Sequence, residues 1–141
     1  MAGDGSVYVQ TLSCGIQRIT GLSTQEPVAK LVYTFPGNWC GVPTLVDRFL
    51  IQSVPAVHGL IALDLANPEK PREASRISLS SSFRAHWTGW DAKTQRLVTT
   101  GSENRLFLVK LDLKSGALAV DEAFKDENGK PGELIARRGD S

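Results

Sequence analysis

The chain has 141 residues, 41% of them hydrophobic and 22% charged, with a formal net charge of +1. Those values describe a single soluble globular domain (residues 1–141) long enough to bury a core, and they exclude the basic footprint of a nucleic-acid binder. No apolar run approaches the roughly 20 residues needed to cross a bilayer, so a membrane partner is not expected either.

Short β-rich runs follow one another along the chain. Val7–Leu12 is rich in β-formers, Cys14-Gly15 reads as a turn, and Ile16–Thr20 and Ala29–Phe35 are the next two strands. Cys40–Val46 and Phe49–Val54 follow, then Gly59–Leu65, a turn at Asn67-Pro68, and Arg72–Ile77. The third set is His86–Trp90, Arg96–Gly101 and Arg105–Leu113, a turn at Ser115-Gly116, and Leu118–Phe124. Asn128-Gly129 and Pro131-Gly132 mark further turns before the short apolar run Glu133–Ala136. No amphipathic helix competes with this pattern.

The second and third sets are copies. In each, a strand, a short hairpin and a second strand ending in Leu-Asp-Leu (Leu63–Leu65, Leu111–Leu113) precede a turn and a last strand. A fainter copy opens the chain and lacks the first strand. A period of about 45 residues fits one four-stranded propeller blade. The expected fold is therefore all-β, a partial β-propeller of about three blades (6–38, 39–83, 84–125). Three blades do not close a ring of four to eight, so head-to-tail homo-oligomerisation is expected, two chains giving about six blades. The segment 126–141 is expected either to donate Glu133–Ala136 to the incomplete first blade of a neighbouring subunit or to form a tail.

Met1–Gly5 shows neither the basic nor the apolar region of a secretory signal, which points to the cytoplasm. There Cys14 and Cys40 are expected as free thiols rather than as a disulfide. The repeat puts Cys40 and His86 at equivalent heads of two neighbouring inner strands, at one height in the central channel. A thiolate and an imidazole suit zinc or copper, with His58 as a further candidate ligand. Cys40 as a nucleophile with His86 as its base is the metal-free alternative. Trp39, Trp87, Trp90 and Asp91 flank these strands as candidate walls of a substrate pocket; the bland alternatives are blade packing for the tryptophans and a turn for Asp91, as for Asp47. The sequence contains neither a Gly-x-Ser-x-Gly elbow nor a phosphate-binding glycine loop.

Tyr33–Pro43, Gln52–Gly59, His86–Asp91, Thr100–Glu103 and Asp121–Phe124 together resemble the C-terminal part of bacterial selenium-binding-protein-like propellers. That resemblance implies a seven-bladed propeller, of which this chain would be a piece, and a branch that includes methanethiol oxidases with copper held by channel histidines. The chain departs from it in carrying only His58 and His86. Three functions follow as expectations. The first is a hydrolase of small ester, lactone or phosphoester substrates, acting through a metal-bound water or the Cys40 thiolate. The second is a copper-dependent oxidoreductase, and the third a non-catalytic scaffold.

Overall fold

The structure, a computed structural model, describes residues 2–11 and 13–135. It is all-β, with three antiparallel sheets in a row. The first sheet holds β1 (Val7–Gln10), β2 (Gly15–Thr20) and β3 (Val28–Thr34) in that order. The second holds β4 (Pro43–Val46), β5 (Phe49–Val54), β6 (Gly59–Asp64) and β7 (Arg72–Ser78) as a meander. The third holds β8 (Ala85–Asp91), β9 (Arg96–Gly101), β10 (Arg105–Leu111) and β11 (Leu118–Val120), with β12 (Glu133–Ile135) also on β10. The repeat extends to the loops: a 3-10 turn at Pro55–Val57 follows β5, and one at Ser102–Asn104 follows β9.

Burial explains why the middle sheet reads as continuous apolar runs and its neighbours as alternation. Every residue of β5 is buried, because a sheet lies against each of its faces. On β9, where one face is covered, buried residues alternate with partly exposed ones at Leu97 and Thr99. Phe49, Ile51, Leu60 and Ala62 point to the third sheet and meet Phe83, Leu97, Phe107 and Val109. Leu50, Val54, Ile61 and Leu63 point to the first sheet and meet Ile16, Phe35 and the two cysteines. The stack is the blade-on-blade packing of a propeller arc.

The C-terminal strand lies on the third sheet of its own chain. β11 pairs with the end of β10 (Val109↔Val120), and β12 pairs with its beginning (Phe107↔Glu133). Together they make one interrupted outer strand, with residues 121–132 looping out between the halves. The loop returns because the Leu108 N–H donates to Gly132 O and the Asp121 N–H to Leu108 O, so the ladder continues across the gap. Glu133 is anchored by Arg105, whose Nε lies 2.7 Å from its carboxylate. Within this chain β12 thus lies on the blade to which β10 belongs. Ala136 of the expected donor strand and Leu12 of the first strand lie outside the described residues.

Polar contacts tie the first sheet to the second. Arg18 binds Asp4 at 2.9 Å and also Glu69, which in turn binds Lys30 at 3.0 Å. The Ser6 hydroxyl and backbone N–H, and then Arg18, hold the Asp4 carboxyl at about 2, below its usual 3.8. A carboxyl depressed in the folded state stabilises above its unfolded value and loses that contribution as pH falls through the folded one. Asp4→Asn should therefore flatten the acid limb of the urea midpoint between about pH 4 and pH 2; an unchanged limb would remove Asp4 from this network.

The two faces of the arc differ in what a truncation should cost. Ile61→Ala in the seam should destabilise by about 2–5 kcal/mol in urea unfolding, whereas Leu31→Ala on the open wall of the first sheet should stay within about 0.5 kcal/mol. Equal costs would contradict the described packing.

Candidate functional site

The site grows from two inner strands laid side by side. The Val42 N–H donates to His86 O at 2.8 Å, and the Thr44 hydroxyl donates to Thr88 O at 2.6 Å. The residue numbers rise together, so β4 and β8 run in the same direction and share an end. At that end Trp39 and Gly41 lead into β4, and His86 stands at a bulge near the head of β8, where the register shifts between Ala85 and Trp87. The approach is close because Gly41 has no side chain: a Cβ there would sit 2.0 Å from His86 O.

His86 is packed between two indoles. Its ring centroid is 5.1 Å from that of Trp39 and 5.0 Å from that of Trp87. Trp39 is 43% exposed, Trp87 57% and neighbouring Val42 48%, so the cluster presents an aromatic surface with an imidazole at its centre. The seam beneath is polar and buried. The Ser53 and Thr88 hydroxyls lie 2.9 Å apart, Thr88 donates to Thr99 at 3.1 Å, and Gln52 Nε2 donates to Gly41 O at 2.6 Å. Gln52, Ser53, Thr88 and Thr99 were not singled out from the sequence. Their signal was a polar pair, Gln52-Ser53, inside an otherwise apolar strand buried on both sides.

Cys40 is not a thiol. It forms a disulfide with Cys14, the Cα atoms 5.1 Å apart, which corrects the expectation of two free cysteines. The bond joins the β1–β2 turn to the segment entering β4, so it staples the first sheet to the second. Closing a loop of this length stabilises by about 3–4 kcal/mol on the chain-entropy account. In this state Cys40 supplies neither a nucleophilic thiolate nor a metal-binding sulfur.

The remaining sequence candidates are divided. His58 occupies a left-handed position after the turn at Pro55–Val57, and its Nδ1 lies 3.1 Å from Phe83 O. A carbonyl only accepts, so that nitrogen carries the proton and Nε2 is left as the basic one. His58 therefore braces the loop entering β8; among the described residues no hydrogen bond or ring contact joins it to His86. Trp90 packs against the core between the second and third sheets. Asp91 lies at the opposite end of β8, roughly 17 Å from His86 at the rise of an extended strand. There it caps a turn through Thr94 and the Lys93 N–H, and the Thr94 hydroxyl foremost holds its carboxyl below the usual range. Asp47 lies at that other end as well, beside a cleft of about 450 Å³ lined by Tyr8, Leu45 and Arg48 among others. Among the described residues no group of three or more His, Cys, Asp or Glu side chains is placed to hold a metal ion.

No family model matches the chain, and no curated protein matches it. Solved structures share its fold, two of them as follows. One is a functionally unknown protein from Desulfotomaculum acetoxidans DSM 771, 13% identical with a TM-score of 0.67, matched over 84% of this chain and 38% of that one. The other is the periplasmic gluconolactonase PpgL of Pseudomonas aeruginosa, 16% identical with a TM-score of 0.66, matched over 84% of this chain and 36% of that one. The chain thus spans less than two-fifths of the length of either structure. At these identities the likeness establishes the sheet-rich, propeller-like fold and nothing finer. Among the described residues no helix is long and apolar enough to cross a membrane.

The seam makes a direct prediction. Gly41→Ala should destabilise by about 1–3 kcal/mol in urea unfolding, because its methyl group meets a backbone oxygen that cannot rotate away. A neutral outcome would mean that β4 and β8 do not approach as described.

Proposed function

We propose that the chain is a hydrolase of small esters, with ring esters (lactones) the favoured class, working at the end of the inner strands where Trp39, His86 and Trp87 meet. The observation that carries this is His86: a half-buried imidazole at the head of an inner strand, flanked by two exposed indoles. The gluconolactonase neighbour supports the reaction class through fold alone. With Cys40 in a disulfide, the thiolate route falls away and a water-based route remains. His86 takes a proton from water as the oxygen attacks the ester carbonyl. The tetrahedral intermediate expels the alkoxide, and His86 returns the proton to that leaving oxygen. The indoles offer the apolar face that holds a small ring against the attacking water.

The arc is incomplete as a channel, so the working form is proposed to be a ring closed by further copies of the chain. The exposed Val9 and Leu31, which share a face of the first sheet, are the wall such a copy would cover. A zinc or copper ion on the axis would draw His86 from more than one copy, since the described residues of one chain group no set of three ligands. The copper oxidoreductase and scaffold readings gain no specific observation: one of the two histidines braces a loop. The disulfide favours an oxidising compartment over the cytoplasm.

A panel of lactones and aryl esters tests the reading. Hydrolysis should fall about 10²–10⁴-fold in His86→Ala and survive in Asp91→Asn. Equal activity of His86→Ala and the parent chain, or no turnover of any member of the panel by a closed oligomer, would overturn it. Light scattering with metal content read on the same peak tests the ring: a small closed oligomer is expected, and a stable monomer would defeat the assembly.

A further inference from the structure

We infer that the Cys14–Cys40 disulfide is a positioning latch for the aromatic cluster: oxidised, it holds Trp39 against His86, and reduced, it lets Trp39 go while the blades stay folded. This deepens the reading of that end of the inner strands as the working site, but it makes no use of catalysis.

The case rests on what holds each side of the bond. The first and second sheets do not depend on it alone. They are joined by the cluster of Ile16, Phe35, Leu50, Val54, Ile61 and Leu63, and by Arg18 and Lys30 on Glu69. The Trp39–Gly41 segment has far less. Gly41 is gripped by its N–H to Ser53 O at 2.9 Å and by Gln52 Nε2 on its carbonyl. Cys40 O lies at the limit of a contact from Gln10 at 3.5 Å, and the Trp39 ring, nearly half exposed, leans on His86 alone among ring contacts. The covalent bond is the restraint immediately next to Trp39, whereas the Gly41 hydrogen bonds and the Val42 N–H on His86 O hold the chain two and three residues further on. Losing the bond removes the tether at Cys40 without opening the apolar seam.

The chemistry is thiol–disulfide exchange with a dithiol reductant. One reductant thiolate attacks a cystine sulfur, and its second thiolate then displaces the mixed disulfide. Cys14 and Cys40 leave as thiols, taking up two electrons and two protons, while the reductant ends as its own disulfide. Cys14 is 0% and Cys40 3% exposed, so exchange waits on local opening of the turn at Cys14 rather than proceeding on the closed structure.

The His86 ring proton resonances of the full chain report the outcome, followed by NMR with far-UV circular dichroism as the fold control. Trp39→Ala in the oxidised chain defines the His86 signal without its neighbour. Reduction by dithiothreitol, and independently the double variant Cys14→Ser/Cys40→Ser, should move His86 to that same position with the β-signal retained. Reduction should also be slow in buffer and speed up at least tenfold in mild urea. A His86 signal indifferent to reduction would overturn the latch. So would loss of the β-signal in both the reduced chain and the double variant, because the bond would then hold the fold and not the cluster. Alkylation of both cysteines without reductant would remove its premise.

Discussion

The close approach of β4 to β8 at Gly41 is the constraint on which the candidate site depends. Two strands from different sheets come together there with no room for a Cβ, and the Val42 N–H bonds the His86 carbonyl directly. A side chain at residue 41 would separate the strands and part Trp39 from His86. Gln52 reinforces the approach from below, directing its amide to the Gly41 carbonyl inside an otherwise apolar strand. The buried hydroxyls of Ser53, Thr88 and Thr99 then satisfy one another across the same seam. A polar line in a hydrophobic interface costs desolvation where a member lacks a partner, as the buried Gln52 Oε1 does, and in return it fixes which residues face each other.

The two open walls of the arc are built differently. The first sheet exposes Val9 and Leu31, which share a face because both pair with Gln17 from opposite sides. On the third sheet, Arg96 and Lys110 converge on Asp121, which is fully buried and 2.7 Å from the Arg96 guanidinium. The interrupted outer strand makes this possible, since the loop between β11 and β12 starts at Asp121. One wall is thus apolar and bare, the other laced with charge.

Much of the fold was legible in the residues, for a physical reason. Period-two patterning and turn chemistry are local, so the repeat of strand, hairpin and Leu-Asp-Leu located all three sheets, the first of them three-stranded. What failed was non-local. Nothing local in Glu133–Ile135 marks it as the strand that resumes an interrupted edge; only its register on β10 places it there within the chain. The disulfide was misjudged because the compartment was inferred from a few N-terminal residues and then used to exclude oxidation. The repeat did place Trp39 and His86 near one end of the inner strands. It did not separate Trp87 from Trp90, although alternation along β8 around the buried Thr88 bears on which of them packs and which is exposed.

The disulfide changes what the site can do. A free Cys40 beside His86 would have offered a nucleophile and base in one chain. Bonded to Cys14, it becomes a restraint on Trp39, and His86 is left as the cluster's titratable side chain. An imidazole with no second catalytic group at hand needs its substrate held in one orientation, since proximity supplies the larger part of the rate when only one proton transfer is assisted. Two indoles against the imidazole can hold a substrate in that way, because they are stiff, lose little entropy on binding and present faces that accept a small ring. Under the proposed function, the arrangement suits a compact substrate with water as the nucleophile. A small cyclic ester, the substrate class proposed above, meets both conditions.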